Sequence, residues 1–159
     1  MRIKMASANK TNYCIGCQKV DDAYFIFNSI YWNILLSEDQ HNLGRCIVSA
    51  KRHAPSLSEI TSEELLDFHQ VVKTLESSIK KAFGAEMFNW GCLMNDAYKN
   101  TPPNPHVHWH LRPRYNYPVK FSGITFNDTE FAHHYTRTEH LTVSSKVRKE
   151  IISEIKKYL

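Results

Sequence analysis

Pro105-His106-Val107-His108-Trp109-His110-Leu111-Arg112-Pro113-Arg114 alternates basic and apolar residues along one short stretch. Successive strand side chains point to opposite faces, so His106, His108 and His110 are expected on one face and Val107, Trp109 and Leu111 on the other. The apolar set suits a sheet face packed on a core, which leaves three imidazoles on the other surface, continued by Arg112 and Arg114. The stretch is therefore read as a strand over 106–113, approached through the stiff link Thr101-Pro102-Pro103-Asn104-Pro105.

Working outward, Thr61 has the chemistry of a helix N-cap, with Glu64 placed to close a capping box and Glu63 at the positive end of the dipole. Leu65, Phe68, Val72, Leu75, Ile79 and Phe83 recur at steps of three and four, and Gly84 stands where a C-terminal cap belongs, so one long helix is expected. Aromatic and β-branched runs predict strands over 23–27 and 30–36, joined as a hairpin through Asn28-Ser29. Further strands are predicted over 45–50, after Gly44, and over 86–94; an amphipathic helical pattern resumes over 143–159. Residues 1–12 are polar and aperiodic and read as a flexible tail, and 13–159 as a single domain. Residues 115–142 show no clear period, and His133, His134 and His140 there are expected to be solvated or at an interface. No internal repeat is present.

The chain has 159 residues, 42% hydrophobic and 23% charged, which suits one packed domain. No apolar run approaches the roughly 20 residues of a membrane span, and the first ten residues lack the apolar middle of a secretory signal, so a cytoplasmic location is expected. A net charge of +4 suits a phosphate-bearing ligand but falls short of the basic tract of a nucleic-acid binder, and no direct nucleic-acid binding is expected.

The spacing Cys14-Ile15-Gly16-Cys17 lets two thiolates chelate one ion. Cys46 and Cys92 stand singly on predicted strands, as small buried hydrophobes, so histidine must complete a tetrahedral site. His53 and one of the strand histidines are the candidates; a closed Cys2His2 set has no open position and is structural. A neutral imidazole is a good nucleophile toward phosphorus, and the middle position, His108, is flanked by groups that can fix its tautomer and neutralise phosphate oxygens. One catalytic zinc held by all three strand histidines is disfavoured: neighbours on one face lie roughly 7 Å apart, too far to share an ion at about 2.0 Å.

The histidine run, together with Gly44-Arg45-Cys46-Ile47-Val48, Lys51-Arg52-His53 and Leu57-Ser58-Glu59-Ile60, resembles the histidine triad (HIT) superfamily of nucleotide hydrolases and transferases, in its zinc-containing branch of diadenosine polyphosphate hydrolases. The resemblance covers roughly 14–114. It implies an α+β fold with about five antiparallel strands, one long helix and a C-terminal helix, paired into a homodimer. It further implies that His108 forms a nucleotidyl-histidine intermediate, that His110 donates to the phosphate, and that Asn95 lies near the phosphate or leaving group. One structural zinc per chain would be held by Cys14, Cys17, His53 and His106. The substrate it implies is a dinucleoside polyphosphate such as diadenosine tetraphosphate. Phosphorolysis, phosphoramidate hydrolysis and a zinc-stabilised nucleotide-binding module with little turnover are the alternatives. The chain departs from many triad hydrolases in its proline-rich 101–105 link, where they carry a Gly-rich loop, and from transferases in keeping His110 where they carry Gln.

Overall fold

A computed structural model describes residues 14, 17, 20–136 and 138–159; the predicted tail over 1–12 lies outside the described residues. In chain order they form β1 (Phe25–Asn28), β2 (Trp32–Leu36), β3 (Cys46–Ala50), α1 (Ser62–Phe83), β4 (Met87–Cys92), β5 (His108–Arg114), β6 (Val119–Phe121), β7 (Ile124–Phe126) and α2 (Ser145–Lys156). The first five strands make one antiparallel sheet in the order β1-β2-β3-β5-β4, the α+β arrangement expected from the sequence.

Register sorts the residues onto two faces. Ile34 pairs with Val48, Val48 with Trp109, Cys46 with Leu111 and Leu111 with Trp90, so these share the face covered by α1. Trp32, Ile34, Cys46, Val48 and Leu111 are fully buried there. Phe68 of α1 stacks on Trp109 at 4.7 Å and meets Trp90 edge-on at 5.5 Å, while Trp32 Nε1 donates to the Glu64 carbonyl at 2.9 Å. Burial of side chains of this size is worth about 1.5–3 kcal/mol each, which makes this layer the main determinant of the fold. The opposite face carries Asn89, Gly91, His108, His110 and Arg112.

The ends of α1 follow their local chemistry. Thr61 Oγ1 accepts from the Glu64 N–H and Glu64 Oε2 accepts from the Thr61 N–H, while Gly84 caps the other end at φ 78°. The core stripe is shifted from the expected one: Val71, Leu75, Ile79 and Phe83 are buried, Val72 is half-buried, and Leu65 is exposed. Glu64 takes the inward place in the first turn, where Arg52 reaches it at 2.6 and 2.8 Å, so an ion pair displaces a leucine from the phase.

The hairpin β6–β7 was absent from the expectation for 115–142. Ser122 and Gly123 have φ of 49° and 78°, the paired positive values of a tight type I′ hairpin turn. Beyond it the chain returns to the sheet: Asp39 bridges Thr142, and α2 packs on α1 and β1. Among the described residues no helix is long and apolar enough to cross a membrane.

Candidate functional site

The histidine strand begins two residues later than expected, at His108. His106 therefore stands just before β5, and its ring turns away from the other two: its Nε2 lies 2.8 Å from the Ala50 carbonyl, to which it donates. A carbonyl can only accept, so the His106 proton sits on Nε2 and Nδ1 is left with a lone pair.

That lone pair faces two sulfurs. His106 Nδ1 is 3.3 Å from Cys14 Sγ and 3.6 Å from Cys17 Sγ, and His53 Nδ1 is 3.3 and 3.5 Å from the same atoms. The four ligand atoms lie within 4.8 Å of one another. Four ligands about 2.0–2.3 Å from a common centre in a tetrahedron stand about 3.5 Å apart, so the separations fit ligands around one shared cation. Burial lowers the His106 pKa, with the charges of His53 and His108 adding to it, which keeps the imidazole in the neutral form that ligates metal. The surrounding structure aims each ligand. Cys17 N–H donates to the Cys14 carbonyl at 3.1 Å, which ties the two cysteines together. Arg52, clamped by Glu64 and the Glu59 carbonyl, leads directly into His53.

His108 and His110 form a second unit. His108 Nδ1 donates to the His106 carbonyl at 2.8 Å, leaving Nε2 unprotonated. His110 Nε2 lies 3.1 Å from His108 Nε2, a contact that needs one proton between the two nitrogens, while the backbone of Leu93 contributes a hydrogen bond on the His110 ring. The mutually consistent arrangement puts the His110 proton on Nε2, pointed at His108. Burial, then the charges of His108 and Arg45, push the His110 pKa down to about 4, so this ring is a neutral donor at neutral pH. The pair thus presents one bare imidazole nitrogen and one imidazole N–H at the same point.

Asn95 stands beyond the end of the sheet. β4 ends at Cys92 rather than running to Met94, and Asn95 opens an exposed 3-10 turn, Asn95–Lys99. A Cβ at Gly91, opposite His110, would meet only Leu93 at ordinary contact distance, so that position has no steric need for glycine. In the same turn the Asp96 carboxyl is held low first by Lys99, 2.5 Å away, and then by the charges of His110 and His108.

Arg112 and Arg114, which continue the histidine face, are held there by residues distant in sequence. Arg112 NH1 donates to Asn42 Oδ1 at 3.2 Å, and the Tyr135 ring lies 4.2 Å over its guanidinium. Arg112 was placed on this face by alternation, but nothing local in the sequence ties it to residues 42 or 135. Arg114, fully buried, binds Asp128 through two nitrogens at 2.5 and 3.0 Å and also donates to the carbonyls of Glu130 and His133. It staples the segment 128–135 beside the site, with His133 and His134 exposed as expected. Cys46 is buried and Cys92 half-buried, and burial pushes the Cys46 thiol far up, so neither belongs to the metal-binding group.

Comparison with known proteins gives a match to the HIT domain model over residues 18–117. The bis(5'-nucleosyl)-tetraphosphatase (asymmetrical) of Schizosaccharomyces pombe is 29% identical over 87 residues, 55% of this chain and 47% of that protein, so the match spans about half the length of this curated relative. Among solved structures, a histidine triad (HIT) protein from Sinorhizobium meliloti superposes with a TM-score of 0.67 at 17% identity, covering 86% of this chain and 89% of the other. The Plasmodium falciparum diadenosine triphosphate hydrolase, solved with Cyclomarin A, gives 0.64 at 17% identity, covering 96% and 88%. At such identities these two likenesses are likenesses of fold.

Proposed function

We propose, from the premise that this chain belongs to the HIT domain family, that it is a nucleotide hydrolase acting on a nucleoside 5'-phosphoryl bond through His108. The observation that carries the proposal is the bare Nε2 of His108, held by its Nδ1 hydrogen bond to the His106 carbonyl and set 3.1 Å from His110 Nε2. The Schizosaccharomyces pombe relative, by its name a tetraphosphatase of bis(5'-nucleosyl) substrates, supports a dinucleoside polyphosphate such as diadenosine tetraphosphate as substrate.

In the first step the His108 Nε2 lone pair attacks the α-phosphorus. The N–P bond forms as the P–O bond to the leaving phosphate breaks, and that oxygen departs with the electron pair. The Nδ1 proton, donated to the His106 carbonyl, stabilises the positive charge gained by the ring. The His110 N–H, released from His108 as the substrate enters, binds a non-bridging phosphate oxygen. In the second step water attacks the same phosphorus, loses a proton to solvent or to the departing polyphosphate, and the N–P pair returns to His108. Asn95, at the start of the exposed turn beside the histidine pair, is assigned to the leaving group.

We assign zinc, one per chain, to Cys14, Cys17, His53 and His106, on the strength of the ligand separations and the two-thiolate, two-imidazole donor set. All four positions are protein ligands, so its role is to hold the loops together and fix His106. A reducing cytoplasmic setting suits the thiolate pair. β4 is an edge strand, and we assign it to pairing with a second copy in a homodimer.

The experiment is acid quenching of the protein with diadenosine tetraphosphate in the first turnovers, followed by peptide mass spectrometry. A nucleotidyl adduct on His108, absent in His108→Ala, is expected. Rapid turnover by His108→Ala, or an adduct on another residue, overturns the assignment. Phosphate-dependent formation of ADP would identify phosphorolysis instead.

A further inference from the structure

The segment 94–105 joins β4 to the histidine strand and is held at its two ends. Met94 packs against the core at the near end. Beyond it the polar contacts are local: Ala97 N–H donates to the Met94 carbonyl at 3.1 Å, Asn100 N–H to the Ala97 carbonyl at 3.4 Å, and Lys99 pairs with Asp96. Among the described residues no hydrogen bond or ion pair joins 95–105 to the rest of the chain, and 98–103 are all exposed. The far end is fixed where the chain reaches His106. Its ring is 6% exposed, its Nε2 donates to the Ala50 carbonyl, and its Nδ1 faces the sulfurs of Cys14 and Cys17.

The sulfur side of the cluster is the side a solute reaches, since Cys17 is exposed and Cys14 half-buried while His106 is buried. The Cys17 N–H bond to the Cys14 carbonyl holds the two backbones together, and the ligand atoms already lie within 4.8 Å of one another. Closing the two sulfurs to the roughly 2.05 Å of a disulfide is therefore a short movement. A disulfide sulfur is neither a thiolate ligand nor an S–H donor. Its formation takes away two of the four donors and leaves His106 Nδ1 as a buried acceptor with no partner, which is unfavourable. Turning the ring outward relieves that and releases the far end of the segment.

We propose that the cluster is a redox-sensitive clasp: reduced and metal-bound it pins the segment 94–105 through His106, and oxidation by a peroxide to the Cys14–Cys17 disulfide expels the ion and frees the segment. The inference rests on the metal assignment above and not on the hydrolase reading. In the first step the exposed Cys17 thiolate attacks one peroxide oxygen, the O–O bond breaks, and hydroxide leaves to give a sulfenic acid. In the second the Cys14 thiolate attacks the Cys17 sulfur, the S–S bond forms, the S–O bond breaks, and a second hydroxide leaves. The two thiolates lose two electrons, the peroxide gains them, and both hydroxides take protons from solvent. The ion is left with two imidazoles and departs into water.

The test treats the zinc-loaded full chain with hydrogen peroxide. Zinc release is read with a chromophoric chelator, thiols by titration and peptide mapping, and the segment by the rate of tryptic cleavage after Lys99 relative to that after Lys120, exposed in β6. Zinc is expected to leave in step with the loss of the two cluster thiols, with a Cys14–Cys17 disulfide in the map. The relative rate at Lys99 should rise at least about tenfold, as for a segment released by local opening. Dithiothreitol with added zinc should restore the slow rate. Cys17→His, which keeps a fourth ligand but cannot form the disulfide, should stay protected at the same dose of peroxide. If that variant takes up no zinc, recovery of the wild type on reduction decides. Zinc release that leaves the Lys99 rate within about twofold of the untreated protein overturns the proposal. So does equal acceleration in a zinc-retaining Cys17→His, or a rate that does not recover on reduction. A reduced chain that takes up no zinc rejects the metal assignment and the clasp with it, whereas zinc uptake with an unmoved Lys99 rate rejects the clasp alone.

Discussion

Replacing Asp128 by Asn tests whether the segment 128–135 is held by one buried ion pair. Arg114 and Asp128 have side chains 1% and 6% exposed and meet through two hydrogen bonds, and Asp128 also accepts from the backbone N–H of Tyr115 and of Glu130 at 3.3 Å. Asn keeps the shape and one acceptor but leaves the guanidinium buried without its counter-charge. Breaking a buried pair from one side costs about 3–5 kcal/mol. For a chain of this size each kcal/mol moves the melting temperature by about 2–4 °C, so a fall of about 6–20 °C is expected. Differential scanning calorimetry reads it, and limited proteolysis should find new cleavage within 126–136. Removing both charges together, as Arg114→Met with Asp128→Leu, should recover at least half of the loss, because the stranded charge is then gone. A single variant that melts within about 2 °C of wild type would refute the reasoning, since the pair would then be behaving as an exposed one does.

Two further outcomes follow from the site. The His110 pKa, pushed down to about 4, lies below that of a free imidazole, so the ring contributes stability that is present above about pH 6.5 and is lost as pH falls through 4. Its Cε1 proton should titrate near that value by NMR, and urea unfolding of His110→Gln should be less acid-sensitive between pH 6.5 and 4 than that of the wild type; a midpoint above 6 contradicts the burial argument. Cys14→Ser should lose the bound metal, measured as equivalents per chain by elemental analysis, and should lower thermal stability; retention of one equivalent at unchanged affinity would show that the cluster is not the metal site.

What was legible in the sequence was local chemistry or simple period. Thr61, Glu64 and Gly84 mark α1 because each cap is satisfied within one turn of chain. The alternation of His108, Trp109, His110 and Leu111 survives intact because cross-strand pairing enforces it. The stripe of α1 slipped where a distant partner intervened: Arg52 draws Glu64 inward, and the register of periodic apolar residues contains no trace of that pair. For a related reason the fourth strand stops two residues short of its expected end, since pairing partners run out at Cys92 and Trp109. The hairpin β6–β7 could have been found. Val119-Lys120-Phe121 and Ile124-Thr125-Phe126 flank Ser122-Gly123, a hairpin signature that the aperiodic residues around it concealed. The segment 128–135 could not, because it is placed by Arg114 and Tyr135 through contacts that leave no repeating pattern.

The four residues of the Cys2His2 cluster come from positions 14, 17, 53 and 106. During synthesis the two cysteines therefore leave the ribosome long before their last partner, and a cation that meets them early has only a two-sulfur foothold. The third donor arrives with the loop after β3, and the fourth only when the link into β5 has docked against Ala50. Full coordination is thus a late event, closed by the same residue whose carbonyl orients His108. If the cluster takes a metal as proposed, full capture would report that the histidine strand has been made and seated, and a nascent chain that stalls before it would offer at most three of the four donors.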